Sequence, residues 1–93
     1  MRLTTHEISA IKSAINRRDP KAEIYLFGSR TDDGKRGGDI DLLVMSKRID
    51  AGGKTAIIME LHDRLGEQRI DMIVAADTTR PFARIALGQG VRL

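Results

Sequence analysis

The spacing of apolar residues changes along this chain between a helical period and a strand period, which predicts helices alternating with strands. Thr4-x-x-Glu7 has the pattern of a capping box, so a first helix should begin there and be ended by Asp19-Pro20. Its inward positions recur at helical spacing: Ile8, Ile11 and Ile15. Three apolar runs then predict strands: Glu23 to Phe27, Asp39 to Met45, and Arg69 to Ala75.

The remaining segments predict two more helices. Gly52 and Gly53 should precede the second helix and Gly66 should stop it, because glycine suits a helix C-terminus. The inward stripe of this helix is expected to be aliphatic: Ile57, Ile58, Leu61 and Leu65. Pro81 predicts the start of a last helix, which Gly88 should close. The order α-β-β-α-β-α places the chain in the α/β class.

Length and hydrophobic content predict one small domain. At 93 residues, the chain is expected to form a single domain over residues 1–93. Hydrophobic residues make up 41% of it, enough for a core in which Met45, Met59 and Met72 fill gaps. Aromatic residues make up only 3%, so stacking of bases on aromatic platforms is not expected as a main activity.

Charge and cysteine content narrow the class of partner. The chain has 16 Lys and Arg residues against 13 Asp and Glu residues, a net charge of +3, with no long basic block. This balance suits a nucleotide ligand better than direct binding of nucleic acid. The absence of cysteine excludes disulfides and thiolate metal sites, and no apolar run predicts a signal peptide or a membrane span. We therefore expect a cytoplasmic protein.

Two short motifs carry the candidate chemistry. Gly28 lets the chain turn sharply after an apolar run and brings a backbone N–H close to a ligand, while Ser29 adds a hydroxyl donor. Asp39 and Asp41 stand two apart in the next run, so at a strand period they project from the same face. Adjacent carboxylates repel each other unless a cation lies between them, and Mg²⁺ prefers oxygen ligands and leaves positions open for phosphates. Together the motifs indicate handling of a nucleoside triphosphate.

Asp71 adds a third carboxylate within an apolar run. If its strand neighbours the one before it, Asp71 can converge on Asp39 and Asp41 and form a cluster able to hold two divalent ions. Such a pair of metals can clamp the attacking and leaving oxygens during phosphoryl or nucleotidyl transfer. Arg30 could grip a phosphate through a bidentate contact, although an arginine beside a turn also fits a solvated side chain. Each acid taken singly also fits a strand-end turn or a salt bridge to a nearby arginine.

The ordered set of Gly28-Ser29, Asp39-x-Asp41 and the run Arg69 to Val74 resembles the signature of the DNA polymerase β-type nucleotidyltransferase superfamily. Within that superfamily the chain is similar to the minimal nucleotidyltransferases of prokaryotes, the MntA-like antitoxins encoded beside HEPN-domain toxins. The resemblance runs from about Ile8 to the C-terminus. It implies a nucleotidyltransferase core, in which a small mixed sheet of about three strands is flanked by helices.

The resemblance also implies a role for each motif residue. Asp39 and Asp41 would bind two Mg²⁺ ions, and Asp71 would share the metal site and position or deprotonate the acceptor hydroxyl. The residues that hold the phosphates of ATP would be Gly28, Ser29 and Arg30. The implied reaction transfers AMP from ATP to a hydroxyl and releases pyrophosphate. The implied acceptor is a tyrosine of a HEPN ribonuclease toxin, which the transferred AMP would silence.

Two other functions fit the same residues. The protein could be a binding module, an antitoxin that blocks its partner by occlusion and whose nucleotide site is vestigial. It could instead modify a small molecule or an RNA with the help of a separate helical subunit, because larger members of the superfamily hold the second substrate with further domains. ATP turnover measured with and without a purified partner would separate the enzyme from the occluding module.

Overall fold

The computed structural model describes residues 3–27, 40–66, 69–79 and 81–93, and the side chains of Phe82 and Ala86 lie outside that description. The elements follow in the order α1 (Thr5–Asn16), β1 (Glu23–Phe27), β2 (Ile40–Met45), α2 (Ala51–Leu65), β3 (Ile70–Ala75), α3 (Pro81–Gln89) and β4 (Val91–Arg92). None of the helices in these ranges has both the length and the apolar character that a membrane span requires.

The capping box predicted at the start of α1 is confirmed. The Glu7 backbone N–H donates to the Thr4 hydroxyl at 3.0 Å, and the Thr4 backbone N–H donates to a Glu7 carboxylate oxygen at 2.9 Å. Each bond satisfies an N–H that the first helical turn would otherwise leave without a partner. Ile11 and Ile15 are fully buried, as their helical spacing predicts. Helix α1 therefore begins where the sequence indicates and presents its aliphatic stripe to the core.

Helix α2 begins earlier than expected, because Asp50 and not the glycine pair marks its start. The Asp50 carboxylate caps the helix by accepting the Gly53 N–H at 2.7 Å. A Cβ at Gly53 would lie 3.3 Å from the Asp50 carboxylate and 3.4 Å from an Ile49 methyl group. The prediction that the glycines precede the helix is wrong, because both lie in its first turn. Close packing against Asp50 and Ile49 explains why position 53 is a glycine.

The sheet has the strand order β3-β2-β1-β4. Strand β1 pairs antiparallel with both β2 and β4, whereas β2 pairs parallel with β3. The mixed sheet is confirmed, but within the described ranges it has four strands and not about three. The fourth strand consists only of Val91 and Arg92, and the Leu93 N–H extends its pairing by donating to the Ile24 carbonyl at 2.9 Å. Two residues are too few to show a strand period in the sequence.

Helices cover both faces of the sheet, so its central strand is buried from two sides. Leu42 and Val44 of β2 face the main core formed with α1 and α2. Leu43 points to the opposite face and packs against α3 through Ala83. All three β2 residues have no exposed surface. This arrangement explains why β2 is apolar without alternation over these positions.

The two glycines near helix ends should respond in opposite ways to alanine. Gly66 closes α2 at φ 82° and ψ −164°, a region that is essentially restricted to glycine, so Gly66→Ala should cost about 1–3 kcal/mol. Gly88 does not close α3 as predicted, because the helix continues to Gln89. Open space surrounds a Cβ at Gly88, so Gly88→Ala should stabilise by up to about 1 kcal/mol. Urea unfolding of both variants tests this; equal effects would contradict it.

Candidate active site

Two of the three acids singled out in the sequence lie side by side at one end of the sheet. In the parallel register of β2 and β3, Asp41 is directly opposite Asp71, and in the antiparallel register of β1 and β2 it is also opposite Phe27. Cα atoms of neighbouring strands lie about 4.8 Å apart. The condition set by the sequence, that the two acidic strands be neighbours, is therefore met.

The alternation of side chains places both carboxylates on the α3 side of the sheet. Leu43 and Ile73, two residues further along each strand, pack on that side in the cluster that includes α3. Asp41 is half-buried, whereas half of the Asp71 side chain remains exposed. Asp71 is therefore the more accessible of the two carboxylates to a group that approaches the site.

Arg69, which no motif singled out, is also part of this site. Its Nε lies 3.6 Å from Oδ2 of Asp71, and 74% of its side chain is exposed. The signal was present in the sequence, because residues two apart on a strand share a face. This ion pair matches the structural alternative for Asp71, a salt bridge to a nearby arginine. A pair this exposed is worth little to stability and leaves Asp71 able to exchange partners.

The other predicted site residues lie outside the described part of the chain: Gly28, Ser29, Arg30 and Asp39. Among the described residues, β1 ends at Phe27 and β2 begins at Ile40. Phe27 is the register partner of Asp41, so the residues that precede Gly28 and follow Asp39 in the sequence both lie beside Asp41.

The donor set fits a hard divalent cation. Asp41 and Asp71 offer carboxylate oxygens from two rigid strands, the ligand type that Mg²⁺ prefers. Within residues 3–27, 40–66, 69–79 and 81–93, no three acidic, histidine or cysteine side chains form a group that could hold a metal ion. The third acid that the sequence assigns to the cluster, Asp39, is not among these residues.

A cavity of about 390 Å³ lies at the opposite end of the same face, away from the carboxylate pair. Its wall includes Asp19 and Glu23, but both acids have partners. Asp19 accepts a hydrogen bond from the Ser46 hydroxyl at 2.6 Å, and Glu23 accepts one from the Tyr25 hydroxyl at 2.7 Å. We place the candidate site at Asp41 and Asp71, because these are the acids of the sequence motifs and they lie directly opposite each other on neighbouring strands.

The Asp19–Ser46 contact joins the turn after α1 to the end of β2, and no feature of the sequence indicated it. The Ser46 hydroxyl also accepts the backbone N–H groups of Arg48 and Ile49, each at 3.1 Å. The hydrogen bond from Ser46 is the main cause that lowers the pKa of Asp19, and it outweighs the opposite effect of burial. Asp19 therefore stabilises the fold in its ionised form.

This contact predicts a pH-dependent loss of stability in Ser46→Ala. Without the hydroxyl, the pKa of Asp19 should rise toward its ordinary value. Because a lowered pKa stabilises the fold only at pH values where the carboxylate is ionised, the difference from wild type should be largest near neutral pH and shrink below about pH 4. In an Asp19→Asn background, where position 19 cannot ionise, the effect of Ser46→Ala on stability should not change over this pH range. Melting temperatures measured from pH 3 to pH 7 test the prediction, and a difference that does not change with pH would contradict it.

Comparison with known proteins adds a family-level match. A model of the nucleotidyltransferase domain matches residues 8–90, a range that includes both Asp41 and Asp71. A search among curated proteins found no match to this chain.

Proposed function

The chain belongs to the nucleotidyltransferase domain family, and we propose that it transfers AMP from ATP to a hydroxyl, with a tyrosine of a HEPN-domain toxin as the acceptor. Membership of this family supports the general activity: the chain is a nucleotidyltransferase, and a nucleoside triphosphate is its substrate. The choice of ATP, the protein acceptor and the antitoxin role are our proposal.

The observation that carries the proposal is the direct opposition of Asp41 and Asp71 on parallel strands. Two carboxylates at this separation repel each other in the absence of a cation. The Arg69 guanidinium offsets part of this repulsion at Asp71, and a divalent cation bound between the two strands would offset it at both carboxylates. The pair also lies beside Phe27, the residue that precedes the predicted phosphate motif Gly28-Ser29 in the sequence, which supports a site that joins metal and triphosphate.

The proposed roles divide the site between a metal side and an acceptor side. Asp39 and Asp41 would hold Mg²⁺, with Asp71 completing the set, and two ions are expected. Bound Mg²⁺ would supply positive charge against the negative charge that develops on the phosphoryl oxygens. Asp71, whose side chain is half exposed, would orient the acceptor hydroxyl and accept its proton.

The phosphate contacts are proposed for Gly28, Ser29 and Arg30. Backbone N–H groups at Gly28 and Ser29 would donate to the β- and γ-phosphates, and the Arg30 guanidinium would add a charged contact. The support is their place in the sequence, because they directly follow Phe27, which lies opposite Asp41 in the sheet.

The ion pair between Arg69 and Asp71 favours a second candidate function. If Asp71 serves only as the partner of this arginine, its carboxylate is not needed for chemistry. The protein would then silence its partner by occlusion, with a nucleotide site that no longer acts.

Asp71→Asn separates the enzyme from the occluding module. If AMP is transferred, wild-type inhibition of the partner should require ATP and Mg²⁺, persist after separation, and add the mass of AMP to a partner tyrosine. The variant should lose at least about 100-fold in transfer while still binding the partner, because Asp71 acts on the acceptor hydroxyl and not on docking. The measurement is partner activity with intact-protein mass spectrometry.

Asp63→Asn is the matched control, since Asp63 is an exposed carboxylate on α2. It should inhibit and modify the partner as wild type does. Full inhibition by Asp71→Asn with an unmodified partner would instead establish the occluding module.

A further inference from the structure

Arg69 contacts both strands that carry the candidate site. Its backbone carbonyl accepts the N–H of Ile40, the residue before Asp41, at 2.9 Å. Its guanidinium lies beside Asp71, with Nε 3.6 Å from Oδ2. The backbone of Arg69 is therefore fixed at the start of β2, while its charge lies at the carboxylate that is opposite Asp41 in the sheet.

The contact between Arg69 and Asp71 is an ion pair without a hydrogen bond. A separation of 3.6 Å exceeds the range of N–H···O hydrogen bonds, and charge-assisted ones are shorter still. A group that supports a metal ligand from outside usually does so through a hydrogen bond that fixes the orientation of the ligand. Arg69 does not have that geometry, so its effect on Asp71 is mainly that of a positive charge.

A positive charge at this place has opposite effects on the empty and the occupied cation site. In the metal-free protein, the guanidinium attracts the Asp71 carboxylate and so offsets part of its repulsion from Asp41. A divalent cation held by the same two carboxylates would repel the guanidinium, because both are positively charged. The two cations therefore compete for the negative charge of the pair.

We propose that Arg69 is a built-in counterion of the Asp41–Asp71 pair, which stabilises the metal-free fold and weakens the binding of a divalent cation in the absence of substrate. The proposal rests on the metal role proposed above for the two acids. Its effect is limited in size, because 74% of the Arg69 side chain and half of the Asp71 side chain are exposed, and water screens their attraction. Arg69 therefore adjusts the affinity of the site for a cation and does not block it.

Arg69→Met tests the competition, because methionine keeps the apolar part of the side chain and removes the charge. We expect the variant to bind Mn²⁺, used in place of Mg²⁺, about two- to fivefold more tightly than wild type in calorimetric titrations without nucleotide. Arg69→Lys should bind Mn²⁺ as wild type does, because lysine keeps the charge. Unchanged or weaker Mn²⁺ binding by Arg69→Met would overturn the proposal, and weaker binding would show instead that Arg69 supports a metal ligand.

Arg64→Met is the matched control for the metal titration. Arg64 forms an ion pair with Glu60 on α2 at 3.4 Å, and α2 packs on the opposite face of the sheet from the carboxylate pair. Its loss should leave the Mn²⁺ affinity unchanged, and an equal gain in both variants would reveal a general effect of net charge and overturn the proposal. Absence of Mn²⁺ binding by wild type would overturn this proposal together with the metal role of the acids, whereas equal affinities of wild type and Arg69→Met would overturn this proposal alone.

The stability of the metal-free protein gives a second test. With EDTA present, Arg69→Met should lower the melting temperature by about 1–5 °C, because the repulsion between Asp41 and Asp71 is no longer offset. In an Asp71→Asn background the same substitution should leave the melting temperature unchanged, since position 71 then has no charge for Arg69 to attract. Equal losses in the two backgrounds would show that Arg69 stabilises the fold through packing, and no loss in the wild-type background would show that it does not act as a counterion.

Discussion

Asp41→Asn should reduce nucleotidyl transfer by more than about 100-fold while the protein stays folded. The loss of an outer partner of a metal ligand typically costs about 10–100-fold, and Asp41 is proposed to be a ligand itself. Removing one charge from the Asp41–Asp71 pair should relieve their repulsion, so the free energy of unfolding without Mg²⁺ should hold or rise. Labelled AMP incorporated into the acceptor measures the first effect, and urea unfolding measures the second.

Asp77→Asn provides the comparison for Asp41→Asn. Asp77 is an exposed carboxylate that follows the other end of β3 and accepts hydrogen bonds only from Thr79 among the contacts seen in the described residues. Its loss should leave transfer near the wild-type rate. Near-normal transfer by Asp41→Asn would remove the carboxylate pair from the active site.

Leu42→Ala should destabilise the fold by about 2–5 kcal/mol. Leu42 has no exposed surface and lies in the row formed by Leu26, Leu42 and Met72, at the centre of the main core. A chain of this length has a total free energy of unfolding of about 5–14 kcal/mol. The substitution would therefore remove a large share of the stability. Urea unfolding of the variant, with the slope compared to wild type, measures the loss.

Met59→Ala should change the free energy of unfolding by no more than about 0.5 kcal/mol. Met59 is 64% exposed on α2, so its removal leaves no cavity. A decrease in the free energy of unfolding similar to that of Leu42→Ala would contradict this and show that the Met59 side chain is buried in solution. The prediction that Met59 fills the core is wrong, whereas Met72, at 3% exposed, confirms the same prediction for β3.

The parts of the fold that the sequence predicts well are those with local causes. The capping box at Thr4, the strand Glu23–Phe27 and the stop at Gly66 each depend on a few neighbouring residues. Strand β4 and the Asp19–Ser46 contact depend on residues far apart in the chain, and no local pattern reports them.

For the candidate site, the sequence predicts the acidic residues and that Asp39 and Asp41 share one face of their strand. It does not predict the register between β2 and β3. The spacing of Asp39 and Asp41 fixes which side of the strand they share, and the structure adds that Asp71 lies opposite Asp41. A salt bridge to a nearby arginine was one alternative for Asp71, but the sequence did not single out Arg69, because side-chain rotamers decide between solvent and a neighbour. The roles of Gly28, Ser29, Arg30 and Asp39 stay predictions.

Helix cover on the two faces of the sheet is unequal, and this distributes stability unevenly. Within the described residues, the nine-residue helix α3 packs on one face of the sheet, while the longer helices α1 and α2 both pack on the other. Helix α3 should therefore open at a lower free energy than the rest of the molecule, and protease cleavage under native conditions should begin there. Asp41 and Asp71 lie on that same side. The face that would meet the substrate can thus rearrange while the opposite face keeps the strands in register.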